Sequence, residues 1–247
     1  MTGPAVTVPA GDHAQGRANV TSVADDALAR AVWQAELDEL LRGVAHALSN
    51  RVATISAAAY MASGGEALDP AMVAALSAES ERLETLLGDL RLLPAPLEPG
   101  AEPLLLDELA RHALALHRHH LPLRDVPVII DADATAQPAY GNPARVLHLL
   151  LLVLTAARAV AMARRRRHES VPPMITCSVS GDAQRTLLVA QVAGASDVSA
   201  PEQALRVVHA IDVFARALGG TASIDAAHGA VQLALPTLSA ARATRTA

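Results

Sequence analysis

Apolar residues recur at intervals of three and four along residues 37–59, which is the spacing of one face of an α-helix. This apolar stripe consists of Leu37, Leu41, Val44, Leu48, Val52, Ile55 and Ala59. We expect the helix to begin near residue 24, because Asp25 or Asp26 can cap it. The sequence Ser63-Gly64-Gly65 is expected to end it.

A second stripe predicts a second helix, which begins after Asp69 with Pro70 at its first position. Its heptad-spaced members are Val73, Leu76, Ser80, Leu83, Leu87 and Leu90. Two helices joined by a short turn form a hairpin, but a lone hairpin cannot cover both apolar stripes. We therefore expect a homodimer in which two hairpins form a four-helix bundle with two-fold symmetry.

Proline and glycine indicate where the predicted units meet. The only strong proline- and glycine-rich break in the middle of the chain places a linker at residues 94–103. The helical hairpin then occupies residues 24–93, and a second unit occupies residues 104–238. We expect flexible tails at residues 1–23 and 239–247.

The second unit mixes helix and strand patterns. Helices are predicted at residues 104–119, 143–163 and 201–218, and strands at residues 126–131, 174–180, 187–192, 221–225 and 230–235. Asn142 as cap and Pro143 at the first position begin the longest of these helices, and Gly219-Gly220 ends the last one. The set predicts one sheet with helices on one face, so the whole chain is expected to be α+β.

Composition narrows the function classes. Hydrophobic residues make up 51% of the chain but aromatic residues only 2%, so the core is expected to consist of alanine, leucine and valine. A net charge of −5 gives no support for a nucleic-acid or anionic-membrane partner. A lone cysteine, Cys177, and no export signal favour a cytoplasmic protein. The apolar run at residues 147–154 is too short to span a membrane, and we interpret it as a buried helix.

His46 is the candidate catalytic residue. It lies about 200° around its helix from both Val44 and Leu48, so its side chain is expected to face solvent. The sequence His46-Ala47-Leu48-Ser49-Asn50-Arg51 resembles the phosphoacceptor box of bacterial sensor histidine kinases. In that family an acidic residue, a leucine, a polar residue and a threonine or asparagine follow the histidine. Leu48 and Asn50 match this pattern, whereas Ala47 replaces the acidic residue.

The second unit resembles the ATP-binding domain of the same kinases, which belong to the GHKL class of ATPases. Residues 140–146, Tyr-Gly-Asn-Pro-Ala-Arg-Val, are similar to the sequence that leads into the family's asparagine-bearing helix. Residues 205–236, with Leu218-Gly219-Gly220 before the final strand pair, are similar to its C-terminal end. With the hairpin included, the resemblance extends over about residues 36–236.

The residues that hold nucleotide in that family are missing here. Ala156 stands where the family has the asparagine that orients Mg²⁺ and phosphates. Residues 193–196, Ala-Gly-Ala-Ser, lack the carboxylate that reads the adenine amino group, and residues 199–204 contain no glycine. Because the backbone amides of glycine loops bind phosphates, we expect no ATP binding and no cofactor of the chain's own.

An exposed histidine, a dimerising hairpin and a degenerate ATP domain together resemble the dimeric histidine phosphotransferases of bacterial phosphorelays, the ChpT type. The resemblance implies that His46 carries a phosphoryl group between aspartates of response-regulator receiver domains, which supply their own Mg²⁺. Asn50 would position water or the incoming phosphoryl group, and Arg42 and Arg51 would bind phosphoryl oxygens or acidic receiver residues. A hybrid or sensor histidine kinase is the expected upstream partner.

Two alternatives remain open: a sensor histidine kinase with a divergent ATP site, and a non-enzymatic pseudokinase adaptor that binds receivers. Four histidines invite a metal interpretation, namely His112, His117, His119 and His120. Because no acidic residue or cysteine completes a ligand spacing around them, we predict no metal site. The run Arg164–Arg167 is interpreted as a solvated helix end, and Cys177 as a small core residue.

Overall fold

The computed structural model describes residues 12–63, 69–91, 93, 100–120, 126–167, 172–194, 200–225 and 227–246. The helices are α1 (Asp12–Ser63), α2 (Pro70–Leu90), α3 (Leu106–His117), α4 (Pro143–Arg167), α5 (Glu202–Arg216) and α6 (Leu238–Thr246). The strands are β1 (Glu102–Leu104), β2 (Val128–Ala132), β3 (Ala139–Gly141), β4 (Ile175–Gly181), β5 (Arg185–Val192), β6 (Thr221–Asp225) and β7 (Ala230–Pro236). The predicted α+β class is confirmed.

The helical hairpin consists of α1 and α2. The carboxylate of Asp69 caps α2 by accepting a 2.7 Å hydrogen bond from the backbone N–H of Met72, so the predicted start at Pro70 is confirmed. Helix α1 begins at Asp12, so the prediction of a flexible tail is wrong for residues 12–23. No proline interrupts residues 12–24, and a helix can therefore continue through them. Residues 1–11 lie outside the described part of the chain.

The main sheet has five strands in the order β2-β4-β5-β7-β6. Strands β2 and β4 are parallel, with Ile130 opposite Cys177, and the other neighbouring pairs are antiparallel. Helices α3, α4 and α5 pack on one face of this sheet. The predicted α/β sandwich is therefore present, and the five predicted strands differ from the observed ones by three residues or fewer at each end.

The core of the second unit lies between α4 and the sheet. Leu147 and Leu150 on α4 and Leu188 and Leu233 on the sheet are each 1% exposed or less. Helix α4 is long and apolar enough to cross a membrane by length and composition, but 72% of that apolar window is buried inside the protein. The interpretation of residues 147–154 as a buried helix is confirmed. Cys177 is 2% exposed, and burial raises the pKa of its thiol to about 12.

Three elements were not predicted. Strands β1 and β3 pair as a small antiparallel sheet, and three residues each are too few to show an alternating pattern. Helix α6 occupies residues predicted to be a tail, and the side chain of Thr237 caps it by accepting from the N–H of Ala240 at 3.3 Å. Of the predicted linker, residues 94–99 lie outside the described part of the chain, and residues 102 and 103 belong to β1.

The buried face of α1 differs from its predicted apolar stripe. Leu40 and Val44 are 1% and 2% exposed, whereas Leu41 and Val52 are 43% and 53% exposed. Asp25, Glu36 and Gly43 of α1 contact the second unit, whereas Arg51, further along the helix, pairs with α2. The second unit therefore covers part of the helix that was assigned to the hairpin alone.

Candidate functional site

His46 lies about two thirds of the way along α1, and its side chain is exposed, as predicted. The amide Nδ2 of Asn50, one helical turn further on, lies 3.3 Å from Nε2 of His46. Because an amide NH₂ can only donate, Nε2 is the acceptor in this contact and carries no proton. Asn50, on the same helix, therefore fixes the orientation of the His46 imidazole ring.

A close backbone contact fixes the position of α1 next to His46. A Cβ built on Gly43 would lie 1.8 Å from the carbonyl oxygen of His119, which follows the end of α3. Only glycine therefore allows α1 to approach the second unit this closely. Val44, beside it, is buried. The helical turn that precedes His46 is thus held against the second unit, while His46 itself faces away.

The two arginines predicted to assist His46 have different surroundings. Arg42 is one turn before His46 and is exposed, and within the described residues its guanidinium forms no ion pair. Arg51 instead donates from Nη1 to Glu79 on α2 at 2.8 Å, and its side chain is only 21% exposed. Hydrogen bonds from Arg82 and Arg51 lower the pKa of Glu79. Arg51 therefore joins the two helices of the hairpin, and its binding of phosphoryl oxygens or acidic receiver residues stays a prediction.

A buried polar network connects α1 to α3 and α4. Thr155 donates to Oε1 of Glu36 at 2.5 Å, and Nε2 of His117 lies 3.3 Å from the Thr155 hydroxyl. His120 accepts from Nη1 of Arg158 at 2.7 Å through Nδ1, which leaves its Nε2 to face Glu36 at 3.3 Å. Glu36, His117, His120 and Thr155 are each 7% exposed or less. Hydrogen bonds therefore satisfy groups that would otherwise be costly to bury.

One corner of this network could hold a cation, because Glu36, Glu39 and His120 offer ligand atoms within 4.8 Å of one another. The guanidinium of Arg158 already lies against His120 and supplies the positive charge that the carboxylates require. The residues present therefore fit an ion-pair network, and the prediction of no metal site stays a prediction.

Two positions that carry nucleotide contacts in the kinase family are closed. Ala156 on α4 is 0% exposed, and its neighbours Thr155 and Arg158 are engaged by α1 and by His120. The Arg164 side chain is 8% exposed and donates from Nε to the carbonyl of Gly194 at 2.9 Å. An arginine therefore lies against the loop at residues 193–194, where the family has its adenine-reading acid; residues 195–199 lie outside the described ranges.

Sequence reasoning missed several residues around the site. Glu36, Thr155 and Arg158 lie on different predicted units, and nothing local in the sequence shows that they meet. Gly43 did leave a signal, because an isolated glycine in a helix costs about 1 kcal/mol relative to alanine and so indicates a close contact. The site is thus larger than the phosphoacceptor box alone.

No protein-family model matches the sequence, and no curated protein matches it. Among solved structures, the chain is similar to the Acinetobacter baumannii histidine kinase AdeS, with 17% identity, a TM-score of 0.38, and coverage of 78% of this chain and 96% of that one. It is similar to the catalytic domain of histidine kinase ThkA, with 12% identity, a TM-score of 0.42, and coverage of 57% and 98%. For full-length ShkA in complex with AMPPNP, the identity is 14%, the TM-score 0.41, and the coverage 81% and 45%. Identities and TM-scores this low do not assign a function to this chain.

Proposed function

We propose that this protein is a histidine phosphotransferase of a bacterial two-component phosphorelay, in which His46 carries a phosphoryl group between receiver-domain aspartates. The observation that carries the proposal is the exposed imidazole of His46, which is oriented by Asn50 and held on a helix that is fixed at Gly43. A nucleophile held rigidly in an exposed position needs little reorganisation to meet an incoming phosphoryl group. Arg42, exposed one turn away, is the cation available to the phosphoryl oxygens.

The reaction balances without a cofactor on this chain. Nε2 of His46, once it leaves its contact with Asn50, attacks phosphorus in an aspartyl phosphate, so an N–P bond forms while the P–O bond to the carboxylate breaks and releases aspartate. Transfer to a second receiver runs the same step in reverse. The receiver brings the Mg²⁺ that stabilises the phosphoryl charge, and an acyl phosphate is already activated. For this reason the missing acidic neighbour at Ala47 matters less here than in attack on ATP.

The surroundings of α4 support transfer over ATP-dependent phosphorylation. Ala156 offers no polar atom from its side chain, and it is 0% exposed. The Arg164 guanidinium lies on Gly194, where an adenine would require a carboxylate and open space. The kinase alternative is favoured by one observation, namely the sheet with a helical layer on one face, which matches the predicted ATP-domain architecture.

A homodimer through the hairpin belongs to the same proposal. Leu41 and Val52 on α1, and Val73 and Leu87 on α2, are between 43% and 53% exposed in a single chain. They belong to the two heptad stripes that the sequence indicates. A second hairpin would remove these apolar side chains from water, which is the driving force of bundle association.

The decisive experiment incubates the protein with a receiver domain carrying a radiolabelled phosphoryl group. The wild type should take up label, and His46→Ala should take up none. His112→Ala is the matched control, because His112 is an exposed histidine on another helix, α3, and this variant should be labelled like the wild type. We expect Asn50→Ala to be labelled more slowly, since the imidazole ring of His46 is no longer held by a hydrogen bond from residue 50. Equal labelling of His46→Ala would overturn the proposal.

The alternatives give other outcomes in the same assay. Label acquired from radioactive ATP without any receiver, and lost in His46→Ala, would identify a histidine kinase instead. Receiver binding that is unchanged in His46→Ala, together with no labelling of the wild type, would identify a non-enzymatic adaptor. Either result replaces phosphotransfer as the function of this chain.

A further inference from the structure

A cleft of about 400 Å³ opens between α1, α4 and α5, and we call it the aromatic cleft. Its volume is in the range of small-molecule sites. The residues that matter for its chemistry are Asp26, Arg30 and Trp33 on α1, Arg145 and His148 on α4, and Phe214 on α5. None of these residues belongs to the His46 site. The cleft therefore needs an explanation of its own.

Aromatic side chains are concentrated here against the trend of the whole chain. The sequence contains one tryptophan and one phenylalanine, and both Trp33 and Phe214 line this cleft although they come from helices of different units. Trp33 also stacks on His148, with ring centroids 4.1 Å apart and an interplanar angle of 25°. The remaining core is built from aliphatic residues, so packing needs alone do not account for this pairing. Stacking surfaces of this kind suit a planar aromatic ligand.

The charged groups of the cleft are not neutralised by one another. Arg30 and Arg145 are both exposed, and in the described part of the chain neither guanidinium forms an ion pair. Two guanidinium groups beside an aromatic wall match a phosphate group attached to a ring system. Asp26 adds a carboxylate, which can accept hydrogen bonds from an amino group on the ring.

His148 adds a hydrogen-bond acceptor. Its Nε2 lies 2.6 Å from the carbonyl oxygen of Leu93, so Nε2 carries the proton that donates there. Burial lowers the pKa of His148, which keeps the imidazole neutral and leaves Nδ1 as an acceptor. The hydrogen bond to Leu93 thus fixes the imidazole ring of His148, and this ring stacks on one face of Trp33.

We propose that the aromatic cleft binds a purine nucleoside monophosphate, with the base against Trp33 and Phe214 and the phosphate at Arg30 and Arg145. This ligand class satisfies the aromatic surface, the pair of cations and the single carboxylate together. The site is separate from the family's nucleotide positions, because along α4 Arg145 is about 16 Å from Ala156 and about 28 Å from Arg164. Since the ligand would contact α1, α4 and α5 at once, binding would hold the phosphoacceptor helix against the second unit.

The chain carries its own reporter, because Trp33 is the only tryptophan. The full-length protein is titrated separately with adenosine and guanosine monophosphate, and Trp33 fluorescence is measured with correction for nucleotide absorption. We expect a saturable change with at least one of them. In the double variant Arg30→Ala, Arg145→Ala the dissociation constant should rise about tenfold or more, because charge-assisted hydrogen bonds to the phosphate are lost.

The matched control is Arg165→Ala, Arg166→Ala, which removes two exposed charges at the other end of α4 and should leave binding unchanged. Phe214→Leu keeps apolar volume but removes the ring and should weaken binding. His46→Ala should bind like the wild type, so this proposal and the phosphotransfer proposal can fail separately. No saturable signal with either nucleotide, confirmed by calorimetry, or equal affinity in the Arg30 and Arg145 double variant, would overturn the assignment.

Discussion

Two stretches of α1 are covered in different ways. Along residues 29–44 the helix packs on the second unit, with Leu40 and Val44 at most 2% exposed and Glu36 engaged by buried partners. Along residues 51–63 it packs on α2, and there Val52 and Tyr60 are 53% and 80% exposed. The first stretch buries the side chains that face the second unit and leaves Leu41 on its outer face 43% exposed, whereas the second stretch leaves more of its apolar surface in water.

This difference indicates what each stretch is for. The first stretch fixes where α1 lies, since a buried polar network and a glycine contact tolerate few alternative arrangements. The second stretch has apolar surface that a second copy would cover. His46 lies between these two stretches. The packing of residues 29–44 therefore fixes the position of His46, and a second copy on residues 51–63 would limit the space around it.

The largest expected effect comes from two neighbouring leucines. Leu40→Ala removes a side chain that is 1% exposed, so the free energy of unfolding should fall by about 2–5 kcal/mol. Leu41→Ala, at a side chain 43% exposed, should cost less than about 1 kcal/mol in a single chain. Urea unfolding monitored by circular dichroism measures both. Equal losses would mean that the two faces of α1 do not differ.

The same pair tests the homodimer. If the outward face of α1 is a dimer interface, Leu41→Ala should shift a concentration series in analytical ultracentrifugation toward monomer at a concentration where the wild type is dimeric. A wild type that stays monomeric at every concentration would contradict the proposed bundle.

A smaller effect is expected from two helical glycines. Gly43→Ala places a Cβ against the backbone carbonyl of His119, which cannot rotate away as a side chain could. We expect the free energy of unfolding to fall by about 1–3 kcal/mol. Gly88→Ala on α2 meets nothing within 4 Å and should instead stabilise the protein by up to about 1 kcal/mol. Thermal unfolding of the two variants should therefore shift in opposite directions. A stabilising Gly43→Ala would refute the close contact.

The smallest effect concerns pH. Burial lowers the pKa of His117 and of His148, and both lie where α1 meets the second unit. Glu36 of α1, His120 and Arg158 of α4 face His117, and the last two oppose its protonation. In the unfolded chain these histidines bind protons below their ordinary pKa of about 6.5, so stability should fall as pH decreases from there, by at most about 1.4 kcal/mol per pH unit for each histidine.

Carboxylates with a lowered pKa, such as Asp133 and Asp182, act in a different range, because their contribution is lost only below a pH of about 4. The interval from pH 7.5 to 5.5 therefore excludes these carboxylates, and a comparison with a His148 variant assigns the part of the pH dependence that belongs to His148. In His148→Gln the free energy of unfolding should depend less on pH over that interval than in the wild type. A flat wild-type profile there would show that the buried histidines do not titrate on unfolding.

The fold was largely predictable because its signals are local. Asp69 and Asn142 cap α2 and α4 as their sequences indicate, and Gly219 adopts a positive φ of 73° directly after α5. The buried face of α1 was not predictable from its stripe, since the second unit, and not a second hairpin, covers its N-terminal half. A periodic pattern identifies an apolar face but does not say which neighbour will cover it.

For the candidate site, the exposure of residues on α1 was predictable, whereas their contacts with other helices were not. His46, Asn50 and Arg42 follow from helical geometry and are exposed as expected. The ion pair of Arg51 could not be foreseen, because its partner Glu79 is on another helix and the two meet only when the hairpin closes. The aromatic cleft joins α1 with α4 and α5, so no segment of the sequence shows it alone.

The 52 residues of α1 form one continuous helix, about 78 Å long, that belongs to both units. The border between them therefore runs along a helix surface and not through a loop. Cutting the chain near residue 100 would remove the Glu36 carboxylate that Thr155, His117 and Arg158 face. We expect the C-terminal fragment alone to be poorly soluble. Because α1 is one continuous helix, a rotation of its N-terminal end should also rotate its C-terminal end.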